Sequence, residues 1–295
     1  MECVKIITED YIIFFEGSVL KTDRSLSEII IQLKQEYTKY YRAQSFISEV
    51  IPLSSSDNLP FEDSILRKLN DFIKYNPIYY QSYNLYLLDT PCKSYQGDIN
   101  TFWLSSKKYD TSYQPFYPTW MLSAYALSLT AKQLGFREII DIGSGDGRIP
   151  YCGKLLNMDC LGIEIDEDLA RLQNNICDLS QVTYPVFNEN ILSFEFDSFN
   201  FISPVFFISG LPEMGEMLAT SVITKIKKIA RLKHTAGFNF MGSHVMKQYS
   251  SDKTNWGWGN IIKQFDLRIV ECLTLPTHWT NDQKMDTPYI YTKFK

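Results

Sequence analysis

Apolar residues in this chain occur in two patterns. Short solid runs bounded by turn residues signal buried strands, and longer segments with apolar positions three and four apart signal amphipathic helices. In the second half the two alternate. Runs at 138–142, 159–166, 182–188 and 203–208 are interleaved with helical spacing at 167–179 and followed by a long helical segment at 213–233. A fifth run covers 236–241, and 267–273 with 289–294 make a closing pair, so seven strands are expected. Strands and helices taken in turn build a mainly parallel sheet buried on both faces. The expected fold class is therefore α/β, with helices on both sides of a seven-stranded sheet.

The first half reads differently. Val4 to Glu16 has the pattern of a strand pair broken near Glu9 and Asp10. Ser25 is placed to cap a helix running from Leu26 to about Val50, with Ile29, Ile30, Leu33, Tyr37 and Tyr41 at helical spacing. Residues 54–58 form a loop, and a second helix runs from Phe61 to about Tyr75, stopping before Asn76 and Pro77. Between Tyr79 and Asp110 the chain is aromatic without an assignable period. These features predict a smaller α+β accessory domain over residues 1–112 and a main domain over 113–295. The aromatic residues of the first either pack its core or form a lid or docking surface over the second. Pro115 and Pro118 fix the entry angle into a helix over Met121 to Leu134, where Thr119 either caps that helix or, with Tyr117, reaches over a ligand.

The candidate chemistry sits where the first run of the main domain ends. Asp141-Ile142-Gly143-Ser144-Gly145-Asp146-Gly147-Arg148 is a strand end followed by alternate glycines, which allow positive φ and close approach of backbone to ligand. The next strand ends in Glu164, about twenty residues further on. A dinucleotide fingerprint needs glycine at the first, third and sixth positions, but the sixth position counted from Gly143 is Arg148. Asp141 and Asp146 would also repel a pyrophosphate. They suit a cation, and S-adenosylmethionine carries a sulfonium and an ammonium group, with a ribose diol that Glu164 can accept in paired hydrogen bonds.

Strand, glycine loop, helix and acid-ended strand together resemble motif I and the following acidic strand of class I S-adenosylmethionine-dependent methyltransferases, which implies a Rossmann-like sheet. Pro115-Phe116-Tyr117-Pro118-Thr119, Phe207-Ile208-Ser209-Gly210-Leu211-Pro212-Glu213 and Leu275-Pro276-Thr277-His278-Trp279 occur in order around it. Over residues 113–295 the set is similar to the small lysine methyltransferases that modify the ATP-synthase c subunit, and more distantly to non-SET histone-lysine methyltransferases of the telomeric-silencing type. The resemblance implies cofactor contacts from Tyr117, Thr119, Asp141, Gly143, Ser144, Gly145, Asp146, Gly147, Glu164, Ile165, Asn190, Ile191 and Ser209. Asn190 would meet the adenine amino group, or else satisfies its own turn. Tyr117, Ser209 and Trp279 are candidates to line an acceptor channel; no catalytic base is assigned. This chain departs from those families in its large N-terminal region and in the Ser209-Gly210 pair. It also lacks the Asn-Pro-Pro-Tyr signature of adenine and glutamine N-methyltransferases and the nucleophilic cysteine of cytosine-C5 enzymes.

Composition narrows the partners. A net charge of −5 argues against extended nucleic-acid binding. Lys225, Lys227, Lys228, Arg231 and Lys233 follow the macrodipole of their helix, as a solvated face would, the alternative being a nucleic-acid contact. Six cysteines lack any C-x-x-C pair, and the three histidines are isolated, so no metal is expected. No apolar run reaches membrane-span length and no signal-peptide plan is present, which predicts a cytoplasmic protein. The reading is in-line transfer of a methyl group from S-adenosylmethionine to a protein lysine, leaving S-adenosylhomocysteine. The alternatives are an RNA or small-molecule acceptor, or a non-catalytic scaffold that binds the cofactor. Trp256 and Trp258 either rim the acceptor pocket or serve packing.

Overall fold

The computed structural model describes residues 25–40, 47–106, 116–208, 210, 212–277 and 286–295. The strand pair expected within 4–16 lies outside them. Helix α1 (Leu26–Thr38) opens with a capping box: the Glu28 amide donates to Ser25 Oγ at 3.4 Å, and the Ser25 amide donates to Glu28 Oε2 at 2.8 Å. It ends at Thr38, well short of the expected Val50. Ile47–Pro52 is instead strand β1, buried at all six positions, because its β-branched residues pack better on a pleated surface than on a helix. Helix α2 (Asp63–Tyr75) stops before Asn76-Pro77, as expected.

The stretch left without a period contains a hairpin, β2 (Tyr79–Leu87) and β3 (Thr90–Gly97), then a short helix α3 (Asn100–Ser106). Its two-residue turn uses Leu88 and Asp89, both left-handed at φ 51° and 57°. That is hairpin geometry without the glycine that usually advertises it. These strands form a three-stranded antiparallel sheet in the order β1-β3-β2.

From α4 (Met121–Gln133) onward strand and helix alternate: β4 (Glu138–Ile142), α5 (Arg148–Leu155), β5 (Asp159–Glu164), α6 (Glu167–Ser180), β6 (Val186–Asn188), β7 (Pro204–Ile208), α7 (Pro212–Lys228), β8 (Gly237–Met241). Helices α8 (His244–Tyr249) and α9 (Gly259–Gln264) precede the closing strands β9 (Leu267–Leu275) and β10 (Thr287–Phe294). The sheet has seven strands in the order β6-β5-β4-β7-β8-β10-β9. Its first five are parallel, and β10 runs antiparallel to both neighbours. This is the Rossmann-like α/β architecture expected from the sequence. Strand order reverses between β4 and β7, so the crevice at their carboxyl ends is the default ligand position in such a sheet.

Alternate residues of each strand serve opposite layers. Ile140, Ile163, Phe206 and Phe238 join the cluster containing Val222 of α7 and Ile261 of α9. Ile139, Val205, Phe207 and Tyr291 join the other, which includes α4, α5, α1, α2 and the three-stranded sheet as one continuous core. Trp258 is buried, stacked 4.8 Å from Phe240, and donates its indole N–H to the Met241 carbonyl, so it serves packing. Part of the basic run clasps backbone: Lys225 Nζ donates to the Leu192 and Phe194 carbonyls at 2.7 and 3.0 Å, and Arg231 to the Phe199 carbonyl. Among the described residues, no helix is long and apolar enough to cross a membrane.

Lys34 of α1 reaches across this core to Asp286, just before β10, at 2.7 Å, with both side chains almost fully buried. Replacing Lys34 with Met removes the cationic half of this buried pair. Urea unfolding is expected to show a loss of about 3–5 kcal/mol.

Candidate functional site

The cleft opens at the carboxyl ends of β4, β5, β7 and β8. Its floor is the loop leaving β4. Gly143, Gly145 and Gly147 have φ of 70°, 58° and 82°, the left-handed values expected of alternate glycines here. A Cβ on Gly143 would meet no protein atom within 4 Å, whereas one on Gly145 would lie 2.8 Å from the Phe116 ring. The Gly143 and Ser144 amides donate to the Ile163 carbonyl at 2.9 and 3.2 Å, which ties the loop to β5.

Gln173 of α6 braces the loop from below. Its Nε2 donates to Ser144 Oγ at 2.8 Å and to the Gly145 carbonyl at 2.9 Å. Tyr184 donates its hydroxyl to the Gly147 carbonyl at 2.9 Å. A Cβ on Gly147 would strike that hydroxyl at 2.0 Å, so the third glycine is required for packing behind the loop and does not line the cleft.

Three acids surround the loop in different states. Glu164 ends β5 and accepts from the Gly145 amide (Oε2, 2.8 Å) and the Asp166 amide (Oε1, 2.9 Å). Burial pushes its carboxyl up to about 7 even though these amides favour the charged form. Asp141 is also held well above the usual carboxylate range, by burial first and then by Glu164 and Asp146, and its Oδ1 is buried without a hydrogen-bond partner. Asp146 is occupied: Arg148 meets it through Nε and Nη2 at 2.9 and 2.5 Å, and Asn76 Nδ2 donates to it at 3.0 Å.

Arg148 has further partners. Nη1 donates to Glu49 Oε1 of β1 at 2.6 Å and to the Thr119 carbonyl, and Nη2 to the Tyr79 hydroxyl at 3.3 Å. Burial opposes its charge, but Asp146, Tyr79 and Glu49 more than offset this and raise its pKa. The remaining oxygen of Glu49, Oε2, accepts from the Met121 amide at 2.9 Å. That amide opens α4, so Glu49 satisfies the helix start that Thr119 was a candidate to cap; the N-cap position falls to Trp120, which makes no side-chain cap bond.

Of the residues singled out from sequence, Tyr117, Thr119, Asp141, Gly143, Ser144, Gly145, Asp146, Glu164 and Ile165 are brought together around the cleft. Asn190 is not among its lining residues; its Oδ1 accepts from the Leu192 amide at 2.9 Å within its own turn. Ile191 packs into the α7 side of the core. Ser209 and Trp279 lie outside the described residues, as does His278. The far wall, over β7, β8 and β10, contains Phe207, Asn239, Met241, Thr277 and Tyr289; the sequence pointed to Phe207 and Thr277 only as members of the Phe207–Glu213 and Leu275–Trp279 segments, and to the other three not at all as contacts. Asn239 could have been found as the lone amide in the apolar run Phe238-Asn239-Phe240. Among the described residues, no cluster of His, Cys, Asp or Glu is placed to hold a metal ion.

No protein-family model and no curated protein matches the chain. Solved structures similar to it include an S-adenosylmethionine-dependent methyltransferase from Clostridium acetobutylicum, at 9% identity and TM-score 0.41 over 58% of this chain and 91% of that one. The CcbJ methyltransferase from Streptomyces caelestis is similar at 10% identity and TM-score 0.42, over 59% and 95%. A ribosomal protein L11 methylase from Lactobacillus delbrueckii subsp. bulgaricus is similar at 11% identity and TM-score 0.39, over 59% and 79%.

The raised Glu164 carboxyl has a sign that can be tested. Between its ordinary value of 4.5 and about 7 the folded chain holds a proton that the unfolded chain has released, so this group's contribution to stability falls as pH rises through that window and levels off above it. Glu164→Gln is expected to flatten the decline in urea midpoint between those two pH values, leaving the slope due to Asp141.

Proposed function

We propose that the chain is an S-adenosylmethionine-dependent methyltransferase acting on a nitrogen nucleophile, a protein lysine being the acceptor the reading favours. The observation that carries it is the pairing of a left-handed glycine loop at the end of β4 with buried carboxylates, Asp141 and Glu164, in place of the cations a pyrophosphate needs. Arg148, the nearest guanidinium, is turned away into Asp146 and Glu49 and offers no phosphate contact. A buried oxygen of Asp141 without a partner and the unobstructed space at Gly143 fit a ligand bearing an ammonium group.

When bound, S-adenosylmethionine would supply an electrophilic methyl group on its sulfonium. Gly143, Ser144 and Gly145 would hold it by backbone, Glu164 would accept from the ribose diol, and Asp141 would accept from the amino-acid ammonium. On the acceptor side Phe207, Met241, Tyr289 and the segment Phe116–Thr119 would offer a largely apolar wall. A lysine entering there is favoured in its neutral form, because desolvation lowers an amine pKa and frees the lone pair. Alignment and desolvation then do most of what such a transfer requires, and no side chain need act as a base.

The test has two stages. In calorimetry the wild type should bind S-adenosylhomocysteine, with affinity rising as pH increases through about 7 because the diol favours ionised Glu164. Gly145→Arg and Glu164→Ala should abolish or severely weaken binding; unchanged affinity in both would refute the site. Purified protein is then incubated with labelled cofactor and source-cell lysate. Protease-sensitive label on a lysine supports the proposal, nuclease-sensitive or small-molecule label replaces the acceptor, and tight binding with no labelled product identifies a scaffold.

A further inference from the structure

Two buried side chains from the N-terminal half converge on the cleft without lining it. Glu49 and Asn76 are both 0% exposed, and Arg148 and Asp146, which they hold, are 2% exposed. Asp146 lies between Gly145 and Gly147, so the direction of its carboxylate is tied to the left-handed turn on either side. Asn76 sits just after α2. Its Oδ1 accepts from the Ile78 amide at 3.1 Å, which orients Nδ2 toward Asp146. Glu49 joins two walls: one oxygen receives Arg148, which arises from the end of the glycine loop, and the other receives the amide that opens α4, directly after segment 116–120.

We infer that Glu49 and Asn76 are positioning residues of the cofactor cleft, setting the gap between the glycine loop and the 116–120 wall through Arg148, Asp146 and the Met121 amide. The inference rests on the reading of the cleft as an adenosyl-donor site. Its physical basis is that stability alone gives poor grounds for this arrangement. Two carboxylates share one guanidinium in the interior, and well-packed apolar groups often serve stability as well or better than such buried ionic sets. What the ionic set provides is direction: the two-point Asp146–Arg148 pair and the doubly engaged Glu49 each specify one orientation. Residues far apart in sequence are thereby held in the relative positions that a ligand lying between them requires.

The test uses full-length protein, S-adenosylhomocysteine as the probe, and two variants. Asn76→Asp keeps the oxygen that serves the Ile78 amide but sets a second carboxylate against Asp146; Glu49→Gln keeps the length of the side chain and removes its charge. Each is expected to raise the dissociation constant for S-adenosylhomocysteine about tenfold, a coupling of the size found within one hydrogen-bond network. Each should also speed amide hydrogen exchange across 143–147 in the ligand-free chain. An affinity within about twofold of wild type and unchanged loop exchange, with only a lower thermal midpoint, would assign both residues a purely structural role and overturn the inference. Should one variant fail to fold, the other carries the same comparison. Failure of the wild type itself to bind the probe would refute the cofactor reading, and loop exchange in the variants would still decide whether Glu49 and Asn76 govern the loop.

Discussion

The Arg148 guanidinium, buried between Asp146 and Glu49, is the contact through which the parts of this protein are fixed to one another. It leaves the first residue of α5, turns back to the glycine loop, and reaches β1 and the Thr119 carbonyl in the same sweep. Phe72 of α2 lies beneath it, with the ring centroid 5.8 Å from the guanidinium carbon. A group with five donors and a fixed plane can satisfy several acceptors at once and allows each only one geometry, which a lysine ammonium would not impose.

That pairing also sorts the acids of the loop. Asp146 is neutralised and becomes part of the scaffold. Asp141 and Glu164, neither of which pairs with a cation among the described residues, carry the electrostatic character of the cleft, and burial holds both toward the protonated form in the ligand-free chain. A cationic guest would reverse that tendency at Asp141, and a pair of hydroxyl donors would reverse it at Glu164, so occupancy and ionisation of this corner are linked. Gln173 and Tyr184 keep the loop in shape from behind using neutral donors, which leaves this balance undisturbed.

Most of the main sheet was legible in the sequence because its strands are solid apolar runs and a helix such as α6 keeps one apolar stripe, signals that short-range chemistry alone produces. The glycine loop was legible for the same reason, its three left-handed positions each being marked by a glycine. Elsewhere the deciding contacts are distant. Ile47–Pro52 continues an apolar period that suits a helix, and its pairing with β3, which its β-branched residues favour, makes it a strand. The hairpin turn at Leu88-Asp89 has no glycine to announce it. Asn190 satisfies its own turn, an outcome local chemistry allowed but could not choose. Gln173 left a trace, a polar residue on the buried stripe of α6 between Leu172 and Ile176. Glu49 left a similar one, an acid inside a buried run, yet neither says which group it meets.

The continuous core shared by α1, α2, the three-stranded sheet and the α4–α5 face has a practical side. A fragment beginning near residue 113 would present to water the flank that Ile29, Leu33, Leu69 and Phe72 now cover, and would keep Arg148 and Asp286 while losing the Glu49 and Lys34 that offset them. Such a truncation would invite self-association through the bared flank, and expression trials that trim the chain to its glycine-loop half would be working against the architecture.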